Sequence, residues 1–533
     1  MRKVDRKMFI LKSVTTILGL VLGVFGLLFS QISCSSEELE KPNILLIMAD
    51  DMGFSDLGCY GSEISTPNID KLAYEGIRFT QFYNAARCCP TRASLLTGLY
   101  PHQTGMGGMV RSDLEKEGPY QGYLNSNCVT LAEVLKTANY KTYMSGKWHV
   151  GELPLNWPNQ RGFDKYYGLI SGAMNYFDIS KSKRKGLKRV FVKGGELFDP
   201  PTEDFYVTDA FTDEALKFLN DHDKNPFFMY LAYNAPHWPL HAKPEDIEKH
   251  KGKYSKGWKD LREERYKKQI AMGLINPDWE LSPQDPRAMD WEDVEDKERL
   301  DLKMAIYAAQ IESMDQNIGR IIKKLQEMNQ LDNTLIMFLS DNGGCAETGA
   351  LGFDALGGWD GKLGTKDSYS SYGRSWSNAS NTPFRLHKKR VHEGGIATPF
   401  IARYPKLING NQITNQVGHI IDVMATVIGL FNAKYPTNYE GNEIIPLEGK
   451  SLLPIFEGIE RDSHDTLFWE HQKNKAIRKG DWKLVSISDG TWELYNLKKD
   501  RTELNNLVNE YPELVQELIL DYKLWAERCG VEL

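Results

Sequence analysis

Short runs of apolar residues, separated by longer amphipathic segments, restrict the folds that this chain can adopt. Each run has six or seven residues and is bounded by polar positions. Such runs are typical of strands buried on both faces of a parallel sheet, and the segments between them have the apolar spacing of helices. The alternation predicts an α/β fold, with a large mostly parallel sheet sandwiched by helices. The predicted strands are 43–49, 140–145, 227–233 and 334–340, and the most regular predicted helices are 210–219 and 297–328.

The pattern changes near the end of the chain, where short strand-like segments replace the long helices. Turn sequences that contain Asp and Gly separate these segments, and a helix is expected after Pro512. We therefore predict a catalytic domain over 41–460 and a small C-terminal antiparallel sheet plus helix over 464–533. The predicted C-terminal strands are 475–477, 482–487 and 492–496.

The first 34 residues have the order of an export signal. Basic residues precede an apolar run, and a small residue stands directly before Cys34. This order predicts a bacterial lipoprotein signal over 1–34 with Cys34 as the lipidated residue. An ordinary cleaved leader and an uncleaved anchor are the alternatives. Each of them places the rest of the chain in the periplasm or at the cell surface, with membrane contact only through this segment or its lipid.

Charge and cysteine content argue against several classes of protein. The formal net charge is −7 and the pI is about 6.0, so no basic field attracts nucleic acid. Seven cysteines are too few and too irregularly spaced for a disulfide scaffold in a chain of 533 residues. No CxxC pair accompanies suitably spaced histidines, so a structural zinc site is not expected. A globular enzyme is the simplest expectation.

Polar side chains follow each of the four predicted strands. Because ligands bind at the carboxyl ends of strands in an open parallel sheet, we expect these side chains to converge on one site. Taken singly, each has another explanation as a turn former, a cap or an ordinary polar residue. The residues are Asp50 and Asp51, Lys147 and His149, His237, and Asp341 and Asn342.

Four of these residues form a set of hard oxygen ligands, Asp50, Asp51, Asp341 and Asn342. Three carboxylates and an amide oxygen match calcium or magnesium rather than zinc, copper or iron. Because calcium tolerates irregular geometry better, we predict one calcium ion and regard magnesium as the less suitable metal. The alternative is that both pairs are only turns after strands.

The segment 88–98, CCPTRASLLTG, is the most specific local signal. Pro90 suits the first position of a helix, which puts Cys88 near the positive end of that helix. Free N–H groups there bind anions and lower the pKa of a thiol. A buried cysteine pair that caps a helix would explain Cys88 and Pro90 equally well, but it gives Arg92 no particular role.

This segment resembles the signature C-x-P-x-R-x-x-x-L-T-G of the formylglycine-dependent sulfatases, the arylsulfatase family of the alkaline phosphatase superfamily. The resemblance extends over almost the whole chain after the N-terminal segment and includes DDMG at 50–53, GKWH at 146–149 and SDNG at 340–343. Thr91 departs from the usual Ser or Ala at its position. The resemblance implies that Cys88, and not Cys89, is oxidised to formylglycine by a maturation enzyme.

The resemblance also implies a chemical role for each residue around the modified cysteine. One hydroxyl of hydrated formylglycine attacks sulfur, and the other later expels sulfate by regenerating the aldehyde. Calcium is expected to act as Lewis acid and template. Arg92 and Lys147 would stabilise the charged hydrate, and His149 would be the base for the elimination step. His237 and Lys388, with Lys147, would bind the sulfate and neutralise the departing oxygen.

The expected activity is hydrolysis of sulfate monoesters, either aryl sulfates or, as a hypothesis, sulfated carbohydrates. A phosphate ester or phosphonate hydrolase is the second possibility, because its reacting group is also a tetrahedral anion. A glycan-binding protein that has lost its chemistry is the third. Aromatic and amide side chains in 369–381 are expected to contact a sugar. Lys389, next to Lys388 in the sequence, is a rival for the role of Lys388.

Overall fold

The main sheet is built on the apolar runs identified in the sequence. The computed structural model describes residues 41–533 except 112–115, 184–186, 432 and 489, and eleven of its strands form one mixed sheet. The export signal predicted over 1–34, with Cys34, lies outside the described residues. The strands are β1 (Asn43–Ala49), β2 (Ile77–Tyr83), β3 (Lys141–Gly146), β4 (Lys165–Leu169), β5 (Phe191–Lys193), β6 (Glu196–Leu197), β7 (Phe227–Ala232), β8 (Thr334–Ser340), β9 (Ala397–Arg403), β10 (Gln412–Thr414) and β11 (Gly418–His419).

The centre of the sheet is parallel. Strands β8, β1, β7, β3 and β4 lie side by side in that order, and Ile47 of β1 pairs with Leu231 on one side and Phe338 on the other. Every residue of β1 is buried, as expected for a strand covered on both faces. Strand β9 runs antiparallel to β8, β5 runs antiparallel to β4, and β6 pairs antiparallel with β5. The prediction of a large mostly parallel sheet is confirmed.

Helices cover both faces of the sheet. They are α1 (Pro67–Tyr74), α2 (Cys88–Thr97), α3 (Leu131–Thr137), α4 (Val207–Asn220), α5 (Pro244–His250), α6 (Gly257–Ala271), α7 (Lys297–Glu327), α8 (Gly373–Ser380), α9 (Glu393–Ile396), α10 (Asp422–Leu430), α11 (Leu453–Phe456) and α12 (Pro512–Cys529). Alternate residues of β1 enter two separate cores, with Leu45 and Ile47 on the side of α4 and α7, and Ile44 and Leu46 on the side of α2 and α3. This alternation follows from the two-residue repeat of a strand.

Local sequence signals explain where two of the helices begin and end. Helix α3 starts with a capping box, in which Thr130 Oγ1 accepts a bond from the Glu133 N–H and Glu133 accepts one from the Thr130 N–H. Helix α2 ends at Gly98, whose φ of 72° is in the left-handed region that glycine adopts without strain. Because β2 runs in the same direction as the central strands and ends at Tyr83, the first turn of α2 begins near the carboxyl edge of the main sheet.

The C-terminal segment forms a second, antiparallel sheet. Its strands lie in chain order, and α12 packs against them. The three strands predicted here are present, and a fourth precedes them. Residues 42–533 form one compact unit, and the predicted boundary between 460 and 464 stays a prediction. The strands are β14 (Thr466–His471), β15 (Asn474–Lys479), β16 (Trp482–Ser486) and β17 (Trp492–Asn496), and a short hairpin before them has β12 (Asn438–Tyr439) and β13 (Asn442–Glu443).

The described residues contain six cysteines, and all six are buried and free of disulfide bonds. Within the same residues, no helix combines the length and the apolar content needed to cross a membrane.

Candidate active site

The polar residues that follow the parallel strands meet at the carboxyl edge of the sheet. The Asp51 N–H, after β1, donates to Asp341 Oδ1, after β8, at 3.2 Å. Asn342 Nδ2 donates to Asp51 Oδ1 at 2.7 Å. Asp51 has a φ of 68°, a conformation that costs a non-glycine residue free energy and is common at functional sites. The four predicted metal ligands thus form one cluster, in which all four residues are buried.

Three oxygens of this cluster have no partner among the described residues. Asp50 Oδ1, Asp51 Oδ2 and Asn342 Oδ1 are buried and accept no hydrogen bond. Leaving such a group unsatisfied costs about 1–3 kcal/mol, so three of them in one place require an explanation. A divalent cation that prefers hard oxygen ligands would satisfy all three. The residues present therefore fit calcium or magnesium.

Burial and mutual repulsion act on the carboxylates of the cluster. Burial and the neighbouring Asp50 raise the pKa of Asp341 well above its usual value, and Arg92 opposes them. Burial also raises the pKa of Asp50, against the effect of Lys147. The pKa of Asp51 is lowered, because His237 and Lys388 outweigh its burial. Three ionised carboxylates at this spacing need several positive charges around them.

Buried cations supply part of that charge. Lys147 Nζ lies 2.5 Å from Asp50 Oδ2, Arg92 Nη2 lies 2.8 Å from Asp341 Oδ2, and Lys388 Nζ lies 2.5 Å from Asp51 Oδ1. Although burial favours its neutral amine, Asp51 holds the pKa of Lys388 well above its ordinary value. Burying ion pairs is expensive, so such a concentration is typical of a functional site rather than of a stability device.

Cys88 is the first residue of α2, and Pro90 is the third. The sequence placed Pro90 at the first helical position, but the helix begins two residues earlier. Proline is tolerated at the third position because the N–H groups of the first turn have no partner inside the helix, so none is lost. A hydrogen bond from Cys89 holds the pKa of Cys88 well below its ordinary value, and Lys147 and His149 add to this against burial. Cys88 therefore has the character of a reactive cysteine.

The sequence did not predict a contact between Cys89 and His149. Cys89 Sγ lies 3.3 Å from Nε2 and 3.5 Å from Nδ1 of His149, and Cys88 belongs to the same cluster. Burial lowers the pKa of His149 to about 3, so its ring is neutral at physiological pH. The signal was present in the sequence, since Cys89 adjoins Cys88, but adjacency in a chain does not show which side chain faces a third residue.

His237 contacts the metal-ligand cluster from the end of β7. Its Nε2 lies 3.4 Å from Asp51 Oδ2, and its Nδ1 lies 2.6 Å from the Trp238 carbonyl oxygen. Because a carbonyl only accepts, Nδ1 carries the proton of the neutral ring. Burial lowers the pKa of His237 to about 4. The unprotonated Nε2 is therefore the atom next to the carboxylate.

The structure distinguishes Lys388 from Lys389. The Lys388 side chain is buried against Asp51, as described above, whereas Lys389 is partly exposed and has a φ of 78°. A bond from the Lys389 N–H to the Ala86 carbonyl oxygen holds this turn beside α2. Lys388 and not Lys389 therefore contacts the site. The structure brings together all ten residues predicted for it, and the roles assigned to them stay predictions.

A pocket of about 510 Å³ opens above these residues. The segment 369–381, expected to contact a sugar, does not line it, so that expectation is wrong. Helix α8 is buried there, and Trp376 packs edge-on against Trp258 at 5.2 Å, so the aromatic composition reflects packing in the core. The pocket is lined by Arg87, Cys88, Met109, Val110, Arg111, His149, Glu152, Gly172, Ala173, Lys183, Arg189, His237, Trp238, Glu347 and Lys388.

Comparisons with known proteins agree with this geometry. The family model described as Sulfatase matches residues 42–433, and that of the N-sulphoglucosamine sulphohydrolase C-terminal region matches 384–524. An uncharacterised sulfatase of Schizosaccharomyces pombe is 36% identical over 482 residues, which cover 84% of this chain and 86% of the relative. The arylsulfatase of Klebsiella aerogenes is 33% identical over 430 residues, which cover 78% and 92%. The crystal structure of Ps i-CgsB in complex with k-i-k-neocarrahexaose is similar with a TM-score of 0.67, 28% identity and coverage of 91% and 93%.

Proposed function

Because this chain belongs to the sulfatase family, whose members hydrolyse sulfate esters, we propose that its nucleophile is a formylglycine formed from Cys88 and that its metal is calcium. The observation that carries the proposal is the position of Cys88. It begins α2 in the pocket that opens over the acidic cluster, and a hydrogen bond from Cys89, with the charge of Lys147, lowers its thiol pKa. A maturation enzyme that oxidises this cysteine is the implied partner.

Calcium would be held by Asp50, Asp51, Asp341 and Asn342, which contribute the three unpaired oxygens. When bound, it supplies a Lewis acid that polarises the sulfate and a template that orients it. Formylglycine supplies, as its hydrate, one hydroxyl that attacks sulfur and a second whose deprotonation restores the aldehyde while the C–O bond to the sulfate group breaks and sulfate leaves. An unmodified serine or cysteine lacks this second hydroxyl, which is the chemical reason for the modification.

Arg92 and Lys147 keep fixed positions beside residue 88. Arg92 Nη1 donates to the Lys147 carbonyl oxygen at 2.9 Å while Nη2 binds Asp341, so its guanidinium is held from two sides. Such fixed charges stabilise a developing anion without reorganisation during the reaction. His149 is neutral at physiological pH and serves as the base that removes the proton from the second hydroxyl.

Two further residues in the pocket act on the sulfate and on the departing alcohol. The Lys388 ammonium binds a sulfate oxygen. It also balances the negative charge on the departing oxygen, which stays bonded to the carbon of the alcohol when the S–O bond breaks. His237, whose Nδ1 donates to the Trp238 carbonyl oxygen, presents Nε2 to the sulfate and, once protonated there, binds the sulfate and passes that proton to the departing oxygen. Both side chains line the same pocket as Cys88, so all three face the cavity in which a sulfate monoester would bind.

The substrate proposed is a sulfated carbohydrate. Its support is the similarity to Ps i-CgsB, whose structure contains an oligosaccharide, together with the size of the pocket, which is typical of small-ligand sites. The proposed location is outside the cytoplasm, through the export signal over 1–34 and lipid attachment at Cys34.

The experiment that tests this function compares hydrolysis of 4-nitrophenyl sulfate and 4-nitrophenyl phosphate by the wild type, Cys88→Ala and the control Cys529→Ala. We expect sulfate turnover to fall by at least about a thousandfold in Cys88→Ala, because removing the nucleophile removes the covalent pathway, and to persist in the control. Mass spectrometry of the active wild type should find an aldehyde at residue 88. An unmodified thiol in active enzyme, or turnover of the phosphate alone, would contradict the proposal.

A further inference from the structure

The pocket is positively charged, although the chain as a whole is acidic. Five lysine or arginine side chains and two glutamates line it, whereas the chain has a net charge of −7. Lys388, at the buried end of the pocket, binds the scissile sulfate in the function proposed above. Arg111 is exposed, and Lys183 and Arg189 are partly exposed, so these three lie towards the solvent end. The chemistry proposed above uses none of the three.

One glutamate of the pocket is already engaged and does not neutralise these cations. Glu347 Oε1 lies 2.8 Å from Arg87 Nη1, and its Oε2 accepts a hydrogen bond from Trp238 Nε1 at 3.2 Å. Burial alone would raise the pKa of Glu347, but Lys388 and Arg87 lower it, so this carboxylate is ionised. The charges of Arg87 and Glu347 therefore cancel, and the bond from Trp238 Nε1 to Glu347 fixes the orientation of the indole ring.

Trp238 connects the reacting end of the pocket to Lys183 and Arg189. Its ring lies 4.7 Å from the His237 ring, and Lys183 Nζ lies 5.9 Å from the centre of the indole. Tyr369 packs against the same indole at 6.1 Å, and the charge of Arg189 opposes the rise in the pKa of Tyr369 that burial causes. The two cations therefore flank a partly exposed aromatic surface that begins next to His237.

Arg189 has unused hydrogen-bonding capacity at this position. Its Nε is buried and has no hydrogen-bond partner among the described residues. A buried N–H of a charged group without an acceptor is costly, and a planar guanidinium is suited to bind a carboxylate or a sulfate through two parallel bonds. A second anion on the substrate would supply that acceptor.

We propose that the alcohol released by this enzyme is a sugar that carries a second anionic group, a sulfate or a carboxylate, bound by Arg189 and Lys183 while the sugar ring packs on Trp238. The inference rests on the function proposed above. Aromatic rings bind the apolar face of a sugar, and the flanking cations then select a ring with a charged substituent. A sugar sulfated only at the scissile position leaves Arg189 without its acceptor.

The test measures sulfate release from singly and doubly charged substrates that are otherwise matched. The probes are galactose and N-acetylgalactosamine, each as monosulfates and as disulfates, and glucuronic acid 2-sulfate, which supplies a carboxylate as the second anion. We expect the wild type to prefer a doubly charged probe by about tenfold or more in kcat/KM, as one hydrogen-bonded ion pair provides. Arg189→Gln should lower the ratio of kcat/KM for the doubly charged probe to kcat/KM for the singly charged probe by about tenfold.

Controls separate this subsite from general effects of charge and folding. Lys323→Gln, which removes an exposed cation on α7, should keep the ratio, and Lys183→Gln should lower it even where Arg189→Gln does not fold. A preference for the disulfates alone identifies sulfate as the second anion, and one for the uronate identifies a carboxylate. A wild type without any such preference, or an unchanged ratio in both variants, would overturn the inference.

The result also separates this inference from the proposed function. Hydrolysis of 4-nitrophenyl sulfate with an aldehyde at residue 88, but with no doubly charged sugar favoured, overturns only the second anion subsite. Absence of sulfate release from every probe, with an unmodified thiol at residue 88, contradicts the proposed function itself.

Discussion

Asn342 uses the two ends of its amide differently. Its Nδ2 donates to Asp51 Oδ1 and to the Gly343 carbonyl oxygen, while its Oδ1 has no partner among the described residues. This arrangement leaves an oxygen for a cation and uses the nitrogen to orient a neighbouring carboxylate. An aspartate here would add a fourth negative charge to a cluster in which burial and repulsion already raise the pKa of Asp341.

Replacing this amide tests the metal site directly. Asn342→Leu keeps most of the volume but removes the oxygen ligand, so we expect calcium affinity to fall about tenfold or more. The measurement is the rise in Tm of EDTA-treated protein as calcium is added back. Asn378→Leu is the matched control, since Asn378 is also buried and has one unpaired amide atom, but lies in α8. An equal calcium response in both variants would exclude Asn342 as a ligand.

The turn that carries Lys388 is held by the C-terminal sheet. Glu393, at the start of α9, binds Lys483 of β16 at 2.9 Å through Oε1 and Arg501 at 2.8 Å through Oε2. Its N–H donates to Glu503 Oε2 at 2.9 Å. All four charged side chains are fully buried. The small sheet therefore fixes the segment between α8 and β9, which is the segment that delivers Lys388 to Asp51.

Breaking this buried pair should affect both stability and catalysis. Lys483→Met leaves Glu503 without its buried cation and Glu393 with Arg501 alone, and we expect it to lower the free energy of unfolding by about 3–5 kcal/mol and to reduce kcat. The double variant Lys483→Met with Glu503→Gln should recover part of the stability, because the carboxylate that has lost its cation is neutralised as well. Urea unfolding and kcat on 4-nitrophenyl sulfate are the measurements. Single and double variants that both match the wild type would contradict the positioning role.

Across the molecule, buried histidines make the fold sensitive to mild acid. Burial lowers the pKa of His241 to about 4, and it lowers the pKa values of His419 and His471 to about 3. All three lie outside the metal-ligand cluster. His241 is fixed in its neutral form, with Nδ1 accepting from the Tyr176 N–H and Nε2 bonded to the Ser368 carbonyl oxygen. Each ring remains neutral in the fold at pH values where it is protonated in the unfolded chain.

The sign of the pH effect follows from this difference. Unfolded histidine has a pKa of about 6.5, so below that pH the unfolded state binds protons that the folded state excludes, and stability falls as the pH falls. We expect the free energy of unfolding to decrease between pH 7 and pH 5 by on the order of 1 kcal/mol for each buried histidine. Urea unfolding at constant ionic strength measures the slope, which His241→Gln should reduce. A constant free energy over this range would contradict the prediction.

Much of the architecture was readable from the order of residues alone. The four apolar runs became β1, β3, β7 and β8, because a strand buried on both faces needs an unbroken run and no other element of that length does. The site at their carboxyl ends and seven of its residues followed from the topology of parallel sheets, and the family resemblance added Lys388 and the role expected of each residue. The C-terminal strands were partly predicted, since their turn sequences are local signals.

Other features depend on contacts between segments far apart in the chain, which no local pattern encodes. Composition suggested that 369–381 contacts substrate, but packing places it in the core, since aromatic residues serve both purposes equally well. Spacing before 393–395 favoured Lys388 and left Lys389 as a rival, and the turn that contacts Ala86 directs Lys388 to Asp51. The sequence by itself thus determined the sheet and the chemical groups at its edge. The tertiary structure decided which side chains face the pocket, because that depends on how distant segments pack against one another.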